Sequence, residues 1–270
     1  VINDKSGNNN HGTLANGPTW AQGKNGTALQ FDGKDDYVDC GNKSSWNLAS
    51  GDHAIGLWFK ASSPTKNYAS LVRRFTGGTP GAGYFIGLLS SGKIRIDERT
   101  DGNPIGFSSA DNYVDNKWHN LIYVVNDSAK IAYLYVDGKF VTSDNYTGNL
   151  INHNSSLGIG GSPVNFNGLI DEVRIYNRAL SEEEVRYHYN QGKPVGHWDM
   201  DEGSGSVIND KSGNNNNGTL VNGTTWAQGK HGTALSFDGV DDYATVANSA
   251  SLNPTSKITV GLWAKRNGAG

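Results

Sequence analysis

Oxygen ligands crowd the opening loop of the chain. Residues 3–12 read NDKSGNNNHG and set the Asp4 carboxylate beside the amides of Asn8, Asn9 and Asn10, with a glycine that lets the backbone curl. A calcium ion takes about six to eight such oxygens, mixing carboxylates with amide and backbone carbonyls. The same residue types also build Asx turns, in which a side-chain oxygen accepts a nearby backbone N–H. Asx turns explain one or two of these residues well and the density of all of them less well. The loop is therefore read as a calcium site, with Asp4 and Asn10 as ligands. A second acidic stretch, DGKDDY at residues 32–37, is the rival. Strand alternation sends Asp35 and Asp36 to opposite faces, so that stretch is read as a hairpin turn.

Catalytic chemistry finds less material. Cys40 is the one cysteine, with no histidine near it in sequence, and reads as a small buried residue rather than a nucleophile. His119 follows Trp118 on a strand-like run and reads as a satisfied strand histidine, not a general base. The acidic strands IDERTD (96–101) and IDEVRIY (170–176) lack the spacing of a paired-carboxylate site, and Asp97 and Arg99 read as an exposed ion pair on one face. There is no G-x-S-x-G elbow, no H-E-x-x-H and no P-loop. Catalysis is not expected.

Aromatic rings and polar heads that could hold a ligand are plentiful, with 7 Trp and 12 Tyr. Trp58, Trp118, Trp198 and Trp263 lie in strand-like runs and read as core. Trp20 and Trp226 occupy equivalent loop positions, and their recurrence reads as packing. The surface candidates are loop and turn residues: Tyr68, Arg73, Arg99 and Tyr113 first, then Arg74 and Tyr146. Trp46 is replaced by Leu252 in the second copy described below, which makes it an apolar anchor rather than a sugar platform.

The elements that must position these residues are short strands. Runs such as ALQFDG, HAIGLWFKAS, GYFIGLLSSG, KIRIDERT and KIAYLYVDGKFV alternate apolar and polar residues, and Asn, Asp, Gly and Ser clusters separate them. Asp137-Gly138 between two such runs predicts a type I′ hairpin. One helix is predicted near residues 181–190, with Ser181 as cap, Glu182, Glu183 and Glu184 in its first turn and Gly192 at its end. It should pack across the end of the sandwich.

The opening stretch occurs twice. Residues 1–38 and 207–244 differ at seven of 38 positions, at a constant offset of 206. The chain thus divides into a first unit, 1–192, and the opening part of a second, 193–270. The segment VGHWDMDE, residues 195–202, precedes the second copy and has no counterpart before Val1. It reads as a strand with Trp198 and Met200 on one face. Three placements are open: filling a vacant edge of the first unit, slightly favoured; pairing within the second; or exchange into another molecule.

Composition agrees with an all-β chain: 36 glycines, 36% apolar residues and 18% charged. A net charge of −3 with no basic block gives no electrostatic footprint for nucleic acid, and no apolar run approaches the roughly 20 residues of a membrane span.

The order GTALQFDGKDDYV, DNKWHNLIYVVND, AYLYVDGKFV, GLIDEVRIYNRALSEEEV resembles the bacterial laminin-G-like, concanavalin-A-like jelly-roll domains. The resemblance covers essentially the whole chain. It implies a two-sheet antiparallel jelly roll with one short helix, commonly carrying a structural calcium near the terminal strands. That would bring Asp171, on the closing strand, to the Asp4 loop, with Asp210 as the second copy's equivalent of Asp4. It also implies a secreted or cell-surface bacterial protein. The expected function is non-catalytic recognition or adhesion with a carbohydrate or surface glycan as partner. The alternatives are a structural spacer and, less favoured, a glycoside hydrolase relative. The Glu-x-Asp-x-x-Glu strand of the laminarinase-like relatives is absent here.

Overall fold

The computed structural model describes residues 1–49, 51–62, 66–76, 82–151, 154–161, 164–190, 194–253 and 258–266. The chain divides into two compact units, Val1–Tyr189 and Asn190–Gly270.

The first unit is a β-sandwich of jelly-roll type, as the sequence predicts. Sheet one runs β1 (Thr13–Ala15), β4 (Tyr37–Asp39), β13 (Gly158–Ile159), β6 (Ala69–Thr76), β7 (Ala82–Leu88), β8 (Ile94–Glu98), β9 (Ile105–Ser108). Sheet two runs β12 (Lys139–Asn145), β11 (Ile131–Val136), β10 (Trp118–Asn126), β5 (His53–Lys60), β14 (Asn167–Tyr176), β3 (Thr27–Asp32), β2 (Thr19–Gln22). Alternation decides which side chains enter the space between them. Leu57 and Phe59 of β5, Leu121 and Tyr123 of β10, and Phe31 of β3 meet Ile86, Leu88, Ile94 and Ile96 of sheet one in one core.

The β11–β12 turn is the predicted hairpin: Asp137 and Gly138 both have positive φ, 52° and 73°, as type I′ geometry requires. The helix α1 (Glu182–Tyr189) starts on a capping box. The Ser181 hydroxyl accepts the Glu184 N–H at 3.3 Å, and the Glu184 carboxylate accepts the Ser181 N–H at 3.0 Å. Its predicted end at Gly192 lies outside the described residues. The helix does not cap the sandwich end. Its Val185, with Leu180, packs on Ala54, Ile122, Val124 and Tyr135 of the outer face of sheet two. Alternation puts those four side chains on the face opposite the core, and the helix removes that apolar patch from water.

In the second unit the repeated sequence builds the same local elements. β15 (Val207–Ile208), β16 (Gly218–Val221) and β19 (Tyr243–Val246) form one sheet and β17 (Thr225–Gln228) pairs with β18 (Thr233–Ser236). Trp20 and Trp226 are strand residues in β2 and β17, not loop residues, and Trp20 is 56% exposed on the edge of sheet two. The core placement of Trp263 does not hold: residues 258–266 form no strand, and Trp263 is 79% exposed.

Residues 195–202 are not a strand either. They are tied into the second unit: Lys211 donates its N–H to the His197 carbonyl, Trp198 Nε1 to the Asn216 carbonyl, and Thr233 its N–H to Asp201. This corrects the favoured placement in the first unit. The partners lie 14 to 32 residues away, a short loop to close, and they present ready carbonyl and amide groups.

Candidate functional site

The outer face of sheet one collects side chains from neighbouring strands. The ladder places Arg73 of β6 opposite Phe85 of β7, Phe85 opposite Asp97 of β8, and Asp97 opposite Gly106 of β9. The next row sets Phe75 opposite Gly83, whose carbonyl accepts the Arg99 N–H. Because Ile86, Ile94 and Ile96 point into the core, these residues face away from it. A bulge between Ser70 and Val72 adjusts the register of β6, so that Leu71 and Val72 are both buried while Arg73 stays outside.

Glycine makes room for a ring on this face. A Cβ at Gly87 would collide with the Phe85 ring, so the ring lies down along β7 only because residue 87 has no side chain. Tyr68, held at φ 63°, leans on Phe85 with ring centroids 5.8 Å apart and remains 44% exposed, whereas Phe85 beneath it is buried. Phe75 has the Arg73 guanidinium 5.9 Å and the Arg99 guanidinium 6.0 Å from its ring centre. Asp97 is bound by Arg95, Nε to Oδ2 at 2.9 Å, and not by Arg99 as the sequence suggests. Arg95 is two residues from Asp97 on the same strand face and reaches it with a two-nitrogen fork.

Three of the four foremost ligand candidates, Tyr68, Arg73 and Arg99, therefore come together on one surface. Tyr113 does not join them; it packs edge-on against His119, 5.1 Å between centroids. Arg74 and Tyr146 are buried rather than surface residues. Arg74 points into the core side and donates to the Trp46 and Ser155 carbonyls and to Asn42, and the Tyr146 hydroxyl donates to Asp127 at 2.7 Å. Trp46 is the apolar anchor expected, 8% exposed. Sequence reading missed Phe75 and Phe85; their signal was the alternation of ASLVRRF and GYFIGLL, which puts both on the face of Arg73.

His119 is satisfied in place, between Asp137 at 2.8 Å and Asp115 at 3.0 Å. Sequence reading also missed a buried polar bridge between the sheets: Glu98 of β8 accepts the Tyr123 hydroxyl at 2.7 Å and lies 3.2 Å from His53 Nε2.

The structure does not bring Asp4 and Asp171 together. Asp4 accepts the Ser6 N–H at 2.9 Å, the Ser6 hydroxyl at 2.7 Å and the Asn10 N–H at 2.9 Å; these backbone bonds hold its pKa down at about 2. Asn10 offers its side-chain oxygen to Ser45 at 3.1 Å. Asp210 repeats the pattern with Ser212 and Asn216 and adds the His197 N–H at 3.0 Å. Asp171 lies on sheet two and accepts the N–H groups of Asn25 and Glu172 at 3.0 and 2.8 Å. Asp4, in the opening loop, and Asp171, on β14, each bond their own local donors, so the two do not make one shared cation site. The carboxylates of Asp32, Asp35 and Asp36 do converge, with ligand oxygens within 4.8 Å of one another, and Asp238, Asp241 and Asp242 do the same. The chain bends between β3 and β4, which overrides the strand alternation expected there. Burial, with the charges of Asp32 and Asp35, pushes the Asp36 carboxyl up.

The family model for the concanavalin A-like lectin/glucanases superfamily matches residues 32–186, more than half of the chain. The chain is 25% identical over 193 residues to the non-toxic nonhemagglutinin of Paraclostridium bifermentans, spanning 70% of this chain and 16% of that protein. Among solved structures, the binding domain of Paraclostridial Mosquitocidal Protein 1 is similar at TM-score 0.60 and 20% identity, over 94% of this chain and 69% of that one. The binding domain of Botulinum Neurotoxin DC in complex with SialylT is similar at TM-score 0.55 and 15% identity, over 90% of this chain and 70% of that one. At such identities the likeness to solved structures is one of fold.

Proposed function

Because the chain belongs to the concanavalin A-like lectin/glucanases superfamily, we propose that its first unit is a non-catalytic module that binds carbohydrate on the outer face of sheet one. One observation carries the reading: Tyr68, exposed over the buried Phe85, and Phe75 share the outer sheet face with the arginine heads of Arg73 and Arg99. Aromatic faces take the apolar side of a pyranose ring and guanidinium groups donate to its oxygens. Glycosidic cleavage needs two carboxyl groups roughly 5–10 Å apart. On this face the carboxylate of Asp97 is tied up by Arg95, which favours binding over hydrolysis. The similar folds are binding domains of other proteins, which supports the same choice. A secreted or surface-attached bacterial setting is part of the proposal, supported by the fold shared with the binding domains of Paraclostridial Mosquitocidal Protein 1 and Botulinum Neurotoxin DC.

A glycan-array screen of the full chain tests it, with Tyr68→Ala as control. Binding that the variant loses is expected; no glycan retained by the chain would refute the reading. A second reading, a structural spacer, is favoured by the near-identical repeat and predicts that empty array.

A structural calcium belongs to the same proposal. Its support is the resemblance together with the convergent oxygens of Asp32, Asp35 and Asp36, rather than Asp4 and Asp171 acting jointly.

A further inference from the structure

We propose that the ligand of this face carries a carboxylate, so that the site recognises an acidic glycan through Arg73 and Arg99. The inference rests on the carbohydrate reading and narrows it. The chain as a whole is acidic, at −3, yet this face presents Arg73, Arg95 and Arg99 against Asp97. Arg95 and Asp97 neutralise each other. Arg73 and Arg99 have no carboxylate partner among the described residues. Arg73 spends one Nη2 hydrogen bond on the Phe75 carbonyl at 2.6 Å. Arg99 Nε is buried without any hydrogen-bond partner.

Half-buried cations without counter-ions are costly, and a buried donor without an acceptor adds to that cost. For Arg73 the cost is visible as burial pushing its pKa below the ordinary arginine value. An anion arriving with the ligand relieves both. The Arg73 and Arg99 guanidinium groups, 5.9 and 6.0 Å from the Phe75 ring centre, are also pre-ordered by cation–π attraction to that one ring. Planar forks of this kind match a carboxylate better than a neutral hydroxyl. Beside them Tyr68, exposed above Phe85, supplies the flat surface for the sugar ring. Arginine heads and aromatic rings thus divide the work of one site: charge at the Phe75 end, stacking at the Phe85 end.

The test is a set of titrations of the full chain with acidic glycans paired with neutral or differently charged counterparts. The pairs are oligogalacturonates with their methyl esters, sialyllactose with lactose, and sulfated with unsulfated chondroitin oligosaccharides. The expected result is at least about tenfold tighter binding of one carboxylated sugar than of its uncharged partner, a preference that shrinks as salt is raised. Arg73→Gln and Arg99→Gln should each remove that preference with little change in melting temperature, while Tyr68→Ala weakens both members of the pair. Equal binding of charged and uncharged partners would overturn the acidic ligand and leave the carbohydrate reading standing. A response to sulfated sugars alone would overturn the carboxylate. No binding across the set would overturn both.

Discussion

Asp171 Oδ2 accepts the backbone N–H of Asn25 at 3.0 Å, so a carboxylate on β14 pins the turn between β2 and β3. The fit is close, because a Cβ at Gly23 would stand 2.6 Å from the same oxygen. Burial raises the Asp171 pKa, opposed by the N–H groups of Asn25 and Glu172. Asp171→Ala leaves those donors unmet and should cost about 1–3 kcal/mol in urea unfolding. Asp171→Asn, which keeps one oxygen in place, should lose less.

Calcium should raise the melting temperature by mass action on the folded state if the proposed ion binds at the acidic turn. Asp35→Asn should then remove the increment, while Asp171→Ala should leave it intact on a lower baseline. An increment that vanishes in Asp171→Ala instead would restore the pairing of Asp171 with the Asp4 loop.

Tyr68 and Tyr146 should separate binding from stability. Tyr68→Ala removes an exposed ring and should weaken glycan binding about tenfold or more with a small stability loss. Tyr146→Phe leaves the partly buried Asp127 short of one donor and should cost about 1 kcal/mol with binding unchanged. Calorimetric titration and thermal melts read the two effects side by side.

His119 gives stability a pH window. Burial favours its neutral form, but hydrogen bonds to Asp137 and Asp115 outweigh that and raise its pKa above 6.5. Its contribution is therefore complete below 6.5 and fades as pH rises through the folded value. Asp115 has the opposite sign: burial opposes the shift, yet His119 and Lys117 pull its pKa from 3.8 to about 2, so its contribution is complete above 3.8 and fades toward about 2. The pair should stabilise most between 3.8 and 6.5. His119→Gln should flatten the fall above 6.5 in a pH series of melts.

The helix start should behave as a capping box. Ser181→Ala removes the acceptor for the Glu184 N–H and should cost about 1 kcal/mol. Val185→Ala empties the contact with the outer face of sheet two and should cost more, roughly 1–3 kcal/mol, read by urea unfolding.

Local pattern settled much of this protein. Alternation marked the strands, Asp137-Gly138 their tightest turn, and Ser181 with the following glutamates the helix start. Each depends on residues a few places apart. The repeat settled the second unit's local elements in the same way, because β16 to β19 follow from the sequence that makes β1 to β4. Tertiary partners decided the rest. Gly56-Leu57-Trp58 and Gly261-Leu262-Trp263 are the same three residues, yet Leu57 and Trp58 are 1% and 3% exposed and Leu262 and Trp263 are 78% and 79% exposed. The first triplet is flanked by β10 and β14; the second has no strand partner among the described residues. An apolar strand is buried only when neighbours take up its backbone groups and cover its side chains. The same holds for the sites. The family resemblance pairs Asp171 with the Asp4 loop, but that loop closes on itself while Asp171 lies in sheet two, and each carboxylate bonds the donors nearest to it. Tyr68 and Arg73 belong to the β6 segment and Arg99 to the end of β8, and only the register of β6, β7 and β8 sets them on one face.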